Sequence, residues 1–349
     1  MGLLRAVASR AVDFSGINFL VHKANAGKLV VLCYHGVVEN LLDREHPKYD
    51  TTVTAAEFAS HLELLTKWFH PVSLLDVRTS YLENKPLPRR AALVTFDDGY
   101  RNVLTHGAPI LRRFGVPAAV FVSTSFIGGR LLFWYDEMLE RFSLWKEQQV
   151  KMPKDGSLVP WPDDPSQRVA LARRIQQSCK RVPNQQRLDY IDYVRTHTPP
   201  DLKLSAVQHH HLDPLNWDEV RSLPPMGIEI GSHTITHPIL TSLTPAELKA
   251  ELTESKAEIE RQKCGEAFSI AFPNGTRADY SQAVLDATKA AGYDLAFTLV
   301  EQLNQPSNSP YLISRISIPG HVPITAFRVR VSGLYPILTG TASQPIGPA

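Results

Sequence analysis

Apolar residues fall in short unbroken runs along this chain, and polar or turn-forming residues follow each run abruptly. Runs of this length bounded by turn signals read as strands buried on both faces. They occur at residues 28–34, 91–96, 117–123, 227–232, 268–272, 295–299 and 312–318. Between them the apolar spacing changes to the helical period. Thr54-Ala55-Ala56-Glu57 is a capping box, and the helix it opens carries Phe58, Leu62 and Leu65 on one face. A second helix runs from Tyr100 to about Phe114, where Gly115 is a natural cap. Thr244-Pro245-Ala246-Glu247 opens another, with proline at the first helical position and Leu248, Leu252 and Ile259 along one side. A last helix covers residues 281–291, ahead of Gly292.

Seven apolar strands alternating with helices predict a parallel α/β architecture. The pattern leaves two forms open, a closed or nearly closed barrel and an open doubly wound sheet. After the third strand, residues 128–213 form a less regular stretch, too long for a plain loop. It holds Trp134, Tyr135 and Asp136, a Pro/Asp-rich patch at 160–165 and charged helical segments near 168–195, and it reads as an inserted helical subdomain or lid. The expected organisation is an N-terminal helical segment at 1–27, a main domain at 28–335 and a flexible tail at 336–349, rich in Pro, Gly, Ser and Thr.

Composition narrows the function classes. The 349 residues are 43% hydrophobic and carry a formal net charge of +2, with basic residues scattered. No polyanion partner is implied, and no aromatic-basic interleaving marks a nucleic-acid surface. Cys33, Cys179 and Cys264 are too few and too far apart for a disulfide framework or a thiolate zinc site, so a reducing, cytoplasmic compartment is the simplest expectation. No apolar stretch is long enough to span a bilayer. Residues 1–20 are interrupted by Arg5, Arg10 and Asp13 and make a poor signal peptide. Gly2 with Ala6 misses the myristoylation pattern. Residues 3–21 can form a weakly amphipathic helix, packed on the domain or lying at a membrane surface.

The chemistry-bearing residues collect where apolar runs end. His35, Asp97-Asp98, His233, residues 273–275 and the stretch after Arg315 all stand at C-terminal strand ends, where α/β barrels place their active sites. Asp97-Asp98-Gly99 alone is common turn chemistry. At the end of a buried strand, however, two acids call for a compensating cation. Adjacent strand residues point opposite ways, so one acid can bind a metal while the other takes a proton. His233 and His237 would share a face if the stretch turns helically. With Asp98 they would form a two-histidine, one-carboxylate set with room for water, a catalytic zinc pattern that also suits cobalt or nickel. The run His209-His210-His211 has no carboxylate strand beside it and reads as solvated loop histidines.

Thr95-Phe96-Asp97-Asp98-Gly99 together with Ser232-His233-Thr234-Ile235-Thr236-His237-Pro238 resembles the polysaccharide deacetylases, the chitooligosaccharide-deacetylase-like carbohydrate esterases. The resemblance runs over residues 32–318, includes Tyr34-His35-Gly36-Val37 and Phe272-Pro273-Asn274-Gly275, and weakens across the insert. It implies a distorted, nearly closed (β/α)7 barrel and hydrolysis of an N-acetyl group from an amino sugar. Carried over by motif, Asp97 is the general base, and Asp98, His233 and His237 hold a divalent metal, zinc first.

The match has departures. The family's Arg-x-Pro-Tyr-Gly-like motif has Ala271 in the Arg place and Asn274 in the Tyr place. Arg315 is the candidate substitute for orienting Asp97, and the backbone N–H near Asn274 can still serve an oxyanion. The family's Leu-x-His motif is unclear; His35 is preferred over His321 as the acid. Tyr100, Trp134 and Asn274 are the candidate substrate contacts, with Tyr135 or Trp217 as further stacking candidates. The substrate expected is an N-acetylated glycan or glycolipid-type molecule. The alternatives are a deacylase of a small carrier-linked sugar and a catalytically silent carbohydrate-binding relative.

Overall fold

The computed structural model describes residues 16–42, 51–129, 132–305 and 307–339. The first strands are β1 (Val30–Tyr34), β2 (Gly36–Val38) and β3 (Thr52–Thr54). Then come β4 (His70–Pro71), β5 (Ala91–Phe96) and β6 (Ala118–Val122). β7 (Gln149–Lys151) and β8 (Leu158–Pro160) pair antiparallel within the insert. β9 (Ile228–Ser232), β10 (Ser269–Ala271), β11 (Leu295–Phe297) and β12 (Ile316–Ser317) complete the set. The main sheet has the order β11-β10-β9-β6-β5-β1-β12, with β4 also against β5, and every pairing in it is parallel.

This is an α/β fold whose parallel sheet curves as a partial barrel. Parallel strands need crossover connections that cover both faces, which is why these runs are apolar throughout rather than alternating. Side-chain parity then sorts them. On β5, Ala92, Val94 and Phe96 join the larger outer core with the helices, whereas Ala91 and Leu93 join an inner core with Val31, Ala119, Phe121, Ala271, Phe297 and Ile313. Inner residues thus come from β1, β5, β6, β10, β11 and the strand leading into β12, all at odd positions. Ile313 bridges to Phe297 on β11, while Ile316 and Ser317 pair with Leu32 and Cys33 on β1. One extended segment therefore touches both borders of the sheet. At the opposite end from the site, helix Leu74–Glu83 covers the inner core, its first backbone amides donating to Glu229 at 2.6 and 3.0 Å.

Several expectations are corrected. Residues 101–107 begin not as an α-helix but with a π-helical turn, Val103–Gly107, before helix Ala108–Phe114. The insert is not wholly helical, since it holds the β7–β8 hairpin beside helices Trp134–Ser143, Pro165–Cys179 and Asn184–Thr196. His209 to His211 lie in helix Ala206–Leu212, and His211 is buried with Nε2 donating to the Asn40 carbonyl at 3.1 Å. The tail expected to be loose from 336 begins inside helix Leu334–Leu338, and residues 340–349 lie outside the described residues. At the N-terminus, helix Ile17–Ala24 is present, and residues 1–15 lie outside the described residues.

His61, on the capping-box helix Ala55–Trp68, is buried against the Phe327 ring at 4.0 Å. Its Nε2 donates to the Val322 carbonyl at 3.0 Å, leaving Nδ1 to face the Tyr34 hydroxyl at 3.3 Å. Burial lowers its pKa from 6.5 to about 4, against weaker raising by Val322 and Glu57. The unfolded chain therefore binds this proton at higher pH than the folded one. The stability due to neutral His61 is complete above about 6.5 and is lost as pH falls toward 4, roughly 3 kcal/mol in all. Urea midpoints should fall across this window, and less steeply in His61→Gln. Equal slopes in the two proteins would show that His61 is not held neutral.

Candidate active site

The inner parity of the strands continues past their ends and delivers the functional side chains. Asp97 follows Leu93 and Thr95 on the inward face of β5. Its backbone N–H donates to the Tyr34 carbonyl at 2.9 Å, so β1 and β5 remain joined where the carboxylate emerges. Arg315 enters from the segment before β12. It is 1% exposed and donates to both oxygens of Asp97, at 2.6 and 2.8 Å, and through Nε to the Thr298 carbonyl at 3.1 Å. Cys33 on β1 adds its thiol to Asp97 Oδ2 at 3.3 Å. Burial alone would raise the Asp97 pKa, but Arg315 and His233 outweigh it and hold this carboxyl well below the usual carboxylate range. Burial pushes the Cys33 thiol up, so it stays a protonated donor.

Asp98 departs from strand geometry. Its φ is +80° and that of Gly99 is +93°, a left-handed turn that swings the second carboxylate away from Arg315. There it meets the loop after β9. The backbone N–H of His233 donates to Val122 at 2.8 Å, and Nδ1 donates to the Ala271 carbonyl at 2.7 Å. That bond fixes the tautomer and leaves the Nε2 lone pair facing Asp98. The His-x-x-x-His stretch is not a helical turn, as expected from spacing, but a loop with Thr234 at φ +70° and His237 at φ +54°. Glu251 anchors it by accepting from the backbone N–H groups of Ile235 and Thr236 at 2.7 and 3.0 Å.

Nε2 of His233 and Nε2 of His237 each lie 3.6 Å from Asp98 Oδ1, and the three donor atoms are within 4.8 Å of one another. That separation is too long for a good hydrogen bond. All three residues are buried. Burial, with His233 and Lys180, lowers His237 well below its ordinary value, so it is neutral, the form that binds metal. The donor set, its closeness and the fixed tautomer fit a divalent cation of the zinc type. A second cluster, Cys33, His35 and Asp97, is equally close. Arg315 already takes both Asp97 oxygens there, so the cluster reads as a hydrogen-bond network.

A cavity of about 400 Å³ opens onto these groups, lined by His35, Asp97, Asp98, His233, His237, Asn274 and Arg315 among others. His35 faces it; His321 does not, being exposed and 2.9 Å from Glu57. Two substrate candidates are placed elsewhere. Tyr100 is buried behind the wall, its hydroxyl donating to Asp136 at 2.6 Å, and does not line the cavity. Trp134 turns away, its indole N–H donating to the His237 carbonyl at 3.2 Å and its face covered by Arg187 at 5.0 Å. Its neighbour Tyr135 lines the cavity, edge-on to His237 at 5.0 Å. Trp217 packs against the outer core. The spacing carried no signal for Cys33, Lys180 or Glu251; a cysteine two residues before a strand-end histidine was the only hint for the first.

A partial α/β barrel carrying a buried Asp-His-His set beside an arginine-bound carboxylate defines a class of α/β proteins with a candidate metal centre at the strand ends. The chain belongs to the polysaccharide deacetylase family, whose profile matches residues 84–158 and 193–296. It is 30% identical over 135 residues to the poly-β-1,6-N-acetyl-D-glucosamine N-deacetylase of Escherichia coli K12, which is 37% of this chain and 19% of that protein. The chain thus spans about a fifth of that relative. It is 19% identical over 312 residues to a Bacillus subtilis putative polysaccharide deacetylase, 88% of this chain and 77% of that protein. Among solved structures, it is similar in fold to the Streptococcus pyogenes deacetylase PplD, with TM-score 0.57, 16% identity and coverage of 86% and 96% of the two chains. IcaB from Ammonifex degensii gives 0.56, 18%, 88% and 97% in the same order.

Arg315→Met should destabilise the fold by about 3–5 kcal/mol, because it leaves Asp97 buried and unpaired. The double variant Asp97→Asn/Arg315→Met should recover much of that loss. Urea unfolding reads both, and a double variant no more stable than the single one would refute the pairing argument.

Proposed function

We propose that this chain is a metal-dependent hydrolase that removes N-acetyl groups from amino sugars of a polysaccharide or oligosaccharide. The observation that carries the reading is the division of labour between adjacent acids. Asp98 faces two histidine nitrogens, while Asp97 is turned to Arg315 and the cavity. The E. coli relative's name, an N-deacetylase of poly-β-1,6-N-acetyl-D-glucosamine, supports an N-acetylhexosamine polymer as the substrate class. The three cysteines are free and buried, which supports a reducing compartment. Among the described residues no helix is long and apolar enough to cross a membrane. On this reading residues 28–335 form a distorted, nearly closed (β/α)7 barrel, with the insert as one wall of its cleft.

Asp98, His233 and His237 would hold the ion, zinc in the first place and cobalt or nickel as substitutes. A divalent ion on these ligands supplies carbonyl polarisation and an acidified water, with a pKa of about 7 in favourable zinc sites, which eases the demand on a base held as low as Asp97. Asp97 accepts the proton of the attacking water, its oxygens aimed by Arg315. The backbone N–H near Asn274 is the candidate donor to the carbonyl oxygen as it gains charge. His35 gives a proton to the amide nitrogen, which leaves poorly unprotonated. The C–N bond breaks to give acetate and the free amino sugar.

Acetate release from N-acetylated glucosamine oligomers tests the reading. Asp97→Asn should lose at least a hundredfold in kcat while bound metal, measured by elemental analysis, is retained. His233→Ala and His237→Ala should weaken metal binding by ten- to a hundredfold or more. Near-normal turnover by Asp97→Asn would remove the base assignment, and full activity after chelation would remove the metal.

A further inference from the structure

Part of the cavity wall comes from the insert, and the segment of it at 165–180 lies between the family profile's two matched stretches. Helix Pro165–Cys179 and its cap residue Lys180 present Arg173, Gln176, Gln177 and Lys180 to the same cavity as the candidate metal ligands. These positions fall three, four and seven apart, one helical face. Lys180 is held firmly. Its ammonium donates to Asn274 Oδ1 at 2.9 Å, and Asn274 donates to the buried carboxylate of Asp279. Asp279 also accepts from the Thr276 backbone N–H at 2.9 Å and pairs with Arg181 at 3.0 Å. Asn274, which departs from the family motif, thus acts as a bracket for a lysine from the insert.

The bracket is neutral where it meets Lys180. Among the described residues no carboxylate pairs with this ammonium, and Asp279 pairs with Arg181 instead. Burial lowers the Lys180 pKa, with Asp279 and Asp98 pulling it back up, so the ammonium is partly desolvated and feels the metal-site carboxylate. A desolvated cation needs an anion. Asp98 serves poorly, since its oxygen is turned to two histidines. The cavity is therefore lined by a positive group with a hydrogen-bond donor to spare: an ammonium has three, and among the described residues one is used.

We propose that Lys180, on the insert wall, is a specificity-determining residue that binds an anionic substituent, a phosphoryl group or a carboxylate, on the N-acetylated sugar. The inference rests on the deacetylase reading and adds the substrate's charge to it.

Acetate release is compared for N-acetylglucosamine 1-phosphate, N-acetylmuramic acid and neutral N-acetylglucosamine, with wild type, Lys180→Gln and Lys180→Arg. Binding of each sugar to chelator-treated protein is measured by calorimetry alongside. The wild type should favour at least one anionic sugar, through KM and through binding, by about ten- to a hundredfold. Preference for the first alone marks a phosphoryl group, for the second alone a carboxylate. Lys180→Gln should narrow the anionic-to-neutral ratio toward one, and Lys180→Arg should keep most of it. Circular dichroism checks that the variants fold, and Lys180→Met, which also removes the charge, carries the comparison if Lys180→Gln does not. Equal handling of charged and neutral sugars by the wild type overturns the inference and leaves the deacetylase reading standing. So does a Lys180→Gln loss in kcat with an unchanged ratio. No acetate from any N-acetylated sugar, with normal metal content, overturns the deacetylase reading instead.

Discussion

The buried pairing of Asp97 with Arg315 is the constraint on which the site depends. A guanidinium 1% exposed and a carboxylate at the end of a central strand cannot be placed in an apolar interior separately. They are tolerated because geometry is good on every side: two N–H donors to Asp97, one to Thr298, and the Phe121 ring 5.5 Å beneath the guanidinium. The consequences reach both ends of the sheet. Asp97 ends β5 and Arg315 lies between the bridge to β11 and the pairing with β1, so the ion pair joins the centre of the sheet to the segment that touches both borders. It also fixes the roles of the neighbouring acids. With both oxygens of Asp97 held by Arg315, Asp98 is the acid that comes within 3.6 Å of both histidines, while Asp97 Oδ2 stays 3.9 Å from His233 alone.

Much of this was legible from the run of apolar residues into Asp97-Asp98-Gly99, because burial and charge at one strand end demand compensation whatever the fold. The partner histidines were legible too, but for the wrong local geometry. Their spacing reads as a helical turn, whereas a left-handed Thr234 and the distant carboxylate of Glu251 shape a loop. No local pattern predicts an anchor that arrives from the following helix. The aromatic contacts were legible only in part, for a related reason. Trp134 and Tyr135 are adjacent on one helix and point in different directions, and which of them meets the cavity is decided by how the insert docks. Tyr100 was misplaced because the chain after Gly99 turns its phenol toward Asp136 on the insert.

The insert is therefore more than a cover. Tyr135 and Lys180 come from two of its helices, and both feel Asp98. Asn274 and Asp279 fasten one of those helices to the loop after β10. A wall built this way can vary in charge without disturbing the strand ends that carry the acids and histidines, since its residues belong to a different core, gathered around Trp145, Trp161 and Tyr190.

Backbone strain shows where the remaining cost of the site lies. Asp98, Thr234, His237 and Asn274 all have φ between +54° and +80° without being glycine. Such conformations cost on the order of 1 kcal/mol or more each and persist only where surrounding bonds over-determine them. Each has its restraint. Ser123 donates to the Asp98 carbonyl at 3.3 Å, and Thr234 Oγ1 accepts from the His237 N–H at 3.1 Å. Glu251 holds the amides between those two residues, and Asp279 holds Asn274. The strands supply position, but the buried carboxylates of Glu251 and Asp279 supply orientation. Loss of either would relax a loop rather than unfold the sheet, so the precision of this site rests on acids that never face the cavity.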